Sequence, residues 1–186
     1  MIDYSKILRE IQADPHYKSN LGWGRPRFGH PEGTLRAHIH QLEENLERIR
    51  PLLKEQEEER LRVLVHAHDI CKPEATPGLP SSHPDNHAFL AKIYLARFCE
   101  DKDLLAITLH HDDGYRLFNN SRNGSHLDEV FARVEDLELF LLFSLVDGCT
   151  PGKIAEPVDW LLQAAARRFQ LTPRIGECHC LLRSRS

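Results

Sequence analysis

Leu61-Arg62-Val63-Leu64-Val65-His66-Ala67-His68-Asp69 carries an apolar run into an adjacent imidazole and carboxylate. The same segment is charged from Glu55, so its pattern predicts a helix over about 55–70 that starts in solvent and plunges into a core. Imidazole and carboxylate are the side chains that bind divalent transition metals, and a carboxylate can bridge two of them.

Helical periodicity continues on both sides. Upstream, Ile2, Ile7, Leu8 and Ile11 outline a short amphipathic helix ended by Asp14-Pro15. Residues 16–33 read as a loop punctuated by Gly22, Gly24, Pro26, Gly29, Pro31 and Gly33, with Trp23 and Phe28 as anchors to the core. Thr34 caps a helix to about Arg50, with Leu35, Ile39, Leu42, Leu46 and Ile49 on one face.

Downstream, Pro73, Pro77, Gly78, Pro80 and Pro84 enforce a loop. Asp85 or Asn86 caps a helix to about Cys99, and Asp101 or Asp103 another to about His111. Ser125 with Asp128 opens a further helix through Val134. Leu137 to Val146 is apolar enough to be buried, and Pro157 starts the last long helix, ending near Leu171. Nothing reads as strand, so the expected fold is all-α. Residues 1–33 form an N-terminal helix and loop packed on a domain over 34–171, followed by a tail over 172–186 that ends frayed.

A chain of 186 residues fits one domain with a substantial core. Its 41% hydrophobic and 28% charged content is ordinary for a globular protein and argues against disorder. A net charge of −4 disfavours a general nucleic-acid coat or a membrane-surface binder. No apolar stretch approaches the roughly 20 residues that span a bilayer, and the N-terminus is unlike a secretory signal. Five scattered cysteines suggest reduced thiols and a cytoplasmic setting.

Histidine is the anomaly. Of 12 in the chain, His66, His68, His83, His87, His110, His111 and His126 gather in one central third. The candidate ligands run in order: His38 mid-helix, His68-Asp69 at a helix end, His87 on the next helix, His110-His111 closing another, and Asp147 ending the buried one. His83 competes with His87 one helical turn away; His87 is preferred because it begins the periodic helix. His16, His40 and His66 read as structural or surface residues. A two-metal site needs donors from several elements and a carboxylate shared between the ions, which this placement allows.

His38, His68-Asp69 and Asp147 resemble the H…HD…D pattern of the HD superfamily of metal-dependent phosphohydrolases. His68-Asp69-Ile70-Cys71-Lys72-Pro73 is similar to the HDxxKP form of many members. His87-Ala88-Phe89-Leu90-Ala91 resembles the added helix carrying a second-metal histidine, and Ile107-Thr108-Leu109-His110-His111 the I..HH segment of binuclear members. Cys71 departs from the family's common glycine and reads as a small packed residue.

The resemblance implies a single helical HD bundle with a dinuclear centre in its core. Metal 1 would take His38, His68, Asp69 and Asp147; metal 2 would share Asp69 and add His87 and His110, with the choice between His110 and its neighbour His111, or the use of both, left open. The nitrogen-rich set suits iron or manganese, with cobalt, nickel or zinc as alternatives, over calcium or magnesium. The implied activity is hydrolysis of a phosphoester or phosphoanhydride in a small nucleotide-like substrate by a metal-bridging hydroxide. Asp69 and Lys72 would be catalytic, Lys72 neutralising phosphoryl charge.

Arg25, Arg27, Arg36 and Lys153 are candidate phosphate binders, and Asp112-Asp113-Gly114-Tyr115 offers a second-shell carboxylate or a stacking ring. The same scaffold also serves mixed-valent diiron oxygenases that cleave a C–C or C–P bond, and non-catalytic metal-bound sensors. Lys72, and acidic residues in place of a lysine after the double histidine, favour the hydrolase. Cys178-His179-Cys180 stand too close together to wrap one zinc comfortably. An oligomer is compatible with the sequence.

Overall fold

The computed structural model describes residues 2–120 and 124–184, with the side chains of 120 and 124–126 left aside. The fold is all-α. Its helices are α1 (Tyr4–Ala13), α2 (Pro15–Asn20), α3 (Leu35–Ile49), α4 (Glu55–Ala67), α5 (His87–Leu95), α6 (Lys102–His110), α7 (Asp113–Asn120), α8 (Gly124–Phe131), α9 (Leu137–Gly148), α10 (Glu156–Ala166) and α11 (Pro173–Arg183). Short 3-10 turns follow α3 and open the segment after His68-Asp69. Among the described residues the only strand-like pairing is an isolated bridge between Arg27 and His30.

Three helices position the site. In α3, the Thr34 hydroxyl accepts from Ala37 N at 3.2 Å, and Leu42, Leu46 and Ile49 are fully buried. Helix α4 opens with Glu55, Glu57 and Glu58 near its positive end and finishes with Leu61, Val63, Leu64 and Val65 in the core. Helix α9, capped by Asp136, is apolar on every face and runs through the middle of the bundle. These three pack on one another; α1 lies on α4, α5 on α6, α7 on α10, and α11 across α3 and α9. Asn45 Nδ2 donates to Val146 O at 2.7 Å, fastening α3 to α9 one residue before Asp147.

Several expectations need correction. Residues 16–33 are not all loop, because Asp14 both ends α1 and caps α2, accepting from His16 N and Tyr17 N while Pro15 sits in the first turn. Trp23 and Phe28 do not anchor the loop, being 40% and 87% exposed; Leu21 is buried instead. Helix α5 stops at Leu95, short of Cys99, and α10 stops at Ala166, short of Leu171. Helix α8 ends at Phe131, short of Val134, and the Ser125 and His126 side chains lie outside the described residues.

Most of the expected tail is α11, entered through Thr172-Pro173 and held by buried Ile175, Cys178 and Leu182. Arg185 and Ser186 lie outside the described residues. No described helix is long and apolar enough to cross a membrane.

Candidate metal centre

His68 caps the C-terminus of α4 with Asp69 next to it, His111 caps that of α6, and Asp147 lies in the last turn of α9. His38 sits in the opening turns of α3 and His87 is the first residue of α5, which Asn86 caps. Helix C-termini carry partial negative charge and favour a cation. Three of them meet at this site.

Asp69 lies at the centre. Its Oδ2 is 3.4 Å from His68 Nε2 and 3.8 Å from His38 Nε2. Its Oδ1 is 3.3 Å from His111 Nε2 and 3.6 Å from His87 Nε2. Asp147 Oδ1 stands 3.1 Å from His38 Nε2 and 4.0 Å from His68 Nε2. On the other side, His87 Nε2 is 3.4 Å from His111 Nε2 and 3.1 Å from Asp112 Oδ2. In each of the trios His38/His68/Asp147, His68/Asp69/His111 and His87/His111/Asp112, the donor atoms lie within 4.8 Å of one another. Donors about 2.0–2.2 Å from a zinc-like ion stand roughly 3–4 Å apart, so these trios can hold a divalent transition metal.

The ring orientations support that. His68 Nδ1–H donates to Leu64 O and Val65 O, both at 3.2 Å, and His111 Nδ1–H donates to Thr108 O at 2.7 Å. With Nδ1 bonded to the main chain, each Nε2 is turned toward the cluster, where a metal would take its lone pair. His38 Nε2, His68 Nε2 and Asp69 Oδ1 are buried and have no hydrogen-bond partner among the described residues. Orphaned acceptors in a buried site are costly, and a cation would satisfy them together.

Electrostatics point the same way. Burial alone would raise Asp69 and Asp147, but the Lys72 ammonium beside Asp69 and the Lys153 ammonium 2.7 Å from Asp147, together with nearby imidazoles, hold both carboxyls well below the usual range. Burial disfavours charged His111, yet Asp112 and Asp69 raise it to about 9. His38 is also raised against its burial, by Asp147 and Glu32, whereas burial keeps His68 low. The bare cluster therefore keeps its carboxylates charged and holds protons on His38 and His111, which a bound metal would displace.

The structure separates the sequence candidates. His38, His68, Asp69, His87, His111 and Asp147 come together. His110 does not join them; one residue is about 100° of helix rotation, and its Nδ1 faces Asp113 Oδ2 at 2.7 Å. His83 is half-exposed, its Nδ1 accepting from Asp85 N at 3.1 Å. Lys72 and Lys153 line a cavity of about 370 Å³ that opens onto Asp69, Asp112 and Asp147. Arg25 and Arg36 are exposed and absent from its lining, where Arg27 stands instead.

Two carboxylates gain weight over the sequence reading. Asp112 reaches the ligand cluster directly, and its place after the double histidine was the available signal. Glu32 stands 3.2 Å from His38 Nδ1, and only its position six residues before His38 hints at it. Cys71 is buried and its thiol is pushed up to about 12 by that burial, so it is no nucleophile at neutral pH. At the far end, Cys178 is buried, Cys180 is exposed and His179 meets Asp159 at 2.9 Å, so the trio does not converge.

No family model, curated protein or solved structure matches this chain.

Proposed function

We propose that the chain is a dinuclear metal hydrolase of the HD type, acting on a phosphoester or phosphoanhydride in a small nucleotide-like substrate. The observation that carries this reading is Asp69, one buried carboxylate whose two oxygens face separate imidazole pairs. On this reading His38, His68, Asp69 and Asp147 hold one cation; His87, His111 and the shared Asp69 hold the other, with Asp112 as an added oxygen donor. The nitrogen-rich set suits iron or manganese over magnesium or calcium, with cobalt, nickel and zinc as further fits. When bound, such ions supply positive charge for phosphoryl oxygens and make water a stronger nucleophile at neutral pH.

The chain's own groups would select the substrate. Lys72 and Lys153 place two ammoniums on the cavity wall, and Arg27 adds a guanidinium suited to bidentate phosphate contact. Phe28 and Tyr115 also line the cavity and are 87% and 50% exposed, offering flat apolar faces to a planar group. Such a combination fits a phosphate carried on a ring system better than a bare phosphate.

Phosphate release from nucleotides and simple phosphomonoesters, with manganese or iron added, tests the proposal. Wild-type turnover should vanish in Asp69→Ala and fall in Lys72→Ala, while Arg27→Ala raises KM. Unchanged turnover in Asp69→Ala refutes the site. Oxygen consumption by a reduced-iron form without phosphate release would move the chain to the diiron oxygenase class, and two bound metals with neither activity to a sensor.

A further inference from the structure

His68 and His111 sit at helix C-termini, and backbone carbonyls three or four residues back accept their Nδ1 protons. His38 lies in the opening turns of α3, and neither of its ring nitrogens has a hydrogen-bond partner among the described residues. A carboxylate faces its Nδ1: Glu32 Oε1 stands 3.2 Å away, at ion-pair distance, and accepts from His30 Nδ1 at 2.9 Å. The Glu32 side chain is only 4% exposed, and its Oε2 has no hydrogen-bond partner among the described residues. A carboxylate so enclosed is expensive unless it has work to do at the ring it faces.

The loop that delivers Glu32 is built to a fixed shape. Gly24 has φ +113°, and a Cβ there would stand 2.2 Å from Gly33 O. Leu35 N donates to Trp23 O and Arg36 N to Leu21 O, both at 2.9 Å, sewing the loop base to the start of α3. Pro31 packs against Gly152, where a Cβ would come within 2.5 Å of its ring, beside Lys153. Arg27 and Phe28, on the same loop, line the cavity.

We propose that Glu32 is a positioning residue: it fixes the His38 ring so that Nε2 faces the metal site, and it joins the substrate-facing loop to that site. This rests on the dinuclear reading above. Carboxylates behind metal-binding imidazoles orient the ring and raise its basicity, and losing one costs on the order of 10–100-fold in metal affinity.

The test is cobalt(II) titration of wild type, Glu32→Gln and Glu32→Ala, following each of two equivalents by visible absorption. Circular dichroism and metal-free melting check the fold. One equivalent should weaken by on the order of 10–100-fold in both variants, with the other unchanged. A folded Glu32→Gln with wild-type affinity at both equivalents, or with both weakened alike, overturns the proposal. Should the alanine variant not fold, the near-isosteric glutamine variant decides; failure of both assigns Glu32 to the scaffold and also overturns it. Wild type binding fewer than two equivalents would fail the dinuclear reading itself, which keeps the two failures distinct.

Discussion

Replacing Asp69 by asparagine should have two separable effects on stability. Asp69 is buried and neutralises Lys72, whose side chain is 17% exposed. Removing one partner of a buried pair costs about 3–5 kcal/mol; asparagine keeps an oxygen acceptor, so the low end applies. At roughly 2–4 °C per kcal/mol for a chain of this size, the metal-free variant should melt about 6–12 °C below wild type. The second effect concerns metal. An ion at 100 times its Kd adds about 2.7 kcal/mol per site, so two sites raise the wild-type Tm by roughly 10–20 °C. Because Asp69 serves both halves of the cluster, Asp69→Asn should lose the whole rise and His87→Ala only about half. Thermal melting by circular dichroism, with and without manganese, reads both effects. A full metal-induced rise in Asp69→Asn would refute the shared-carboxylate argument, as would loss of the whole rise in His87→Ala.

The adjacent histidines should behave differently. His110→Ala breaks a buried contact with Asp113 and should lower Tm, at a cost of about 1–3 kcal/mol, while keeping its metal. His111→Ala should lose one equivalent by elemental analysis, and the reverse pattern would show that the rings are misassigned. The raised His111 also sets a pH window. Its folded value of about 9 lies above the ordinary 6.5, so its stabilising contribution is complete below about 6.5 and lost as pH climbs through 9. Metal-free protein should therefore lose this contribution over that interval, while Asp69 and Asp147, held low, contribute steadily across it. Metal must displace the same proton, so affinity should rise over that interval; calorimetry at pH 7 in buffers of different ionisation heat should detect proton release. Heats independent of the buffer count against it.

Much of the frame was legible because strong local signals agreed with tertiary packing. Thr34 with the spacing of Leu35, Ile39, Leu42 and Leu46 gave α3, and the charged-to-apolar run gave α4. What escaped was short or doubly used. Asp14-Pro15 reads as a stop, yet it is equally a cap and first turn for α2. Helix α7 has eight residues and carries Gly114 in its first turn, too little for periodicity to register. Helix α11 hides behind a polar composition, because few of its side chains need burial to hold it.

In the site, the order of ligands was visible but their direction was not. His110 and His111 differ by one rotation step, and only the turn at the end of α6 decides which faces Asp69. Glu32 lies in a glycine-rich loop, where no period reports which way a side chain points.

Metal content tests the central claim most directly. Protein purified without chelator and analysed by elemental mass spectrometry should hold two transition-metal ions per chain in wild type and none in Asp69→Ala. One ion or none in wild type, or two retained in Asp69→Ala, would contradict the account.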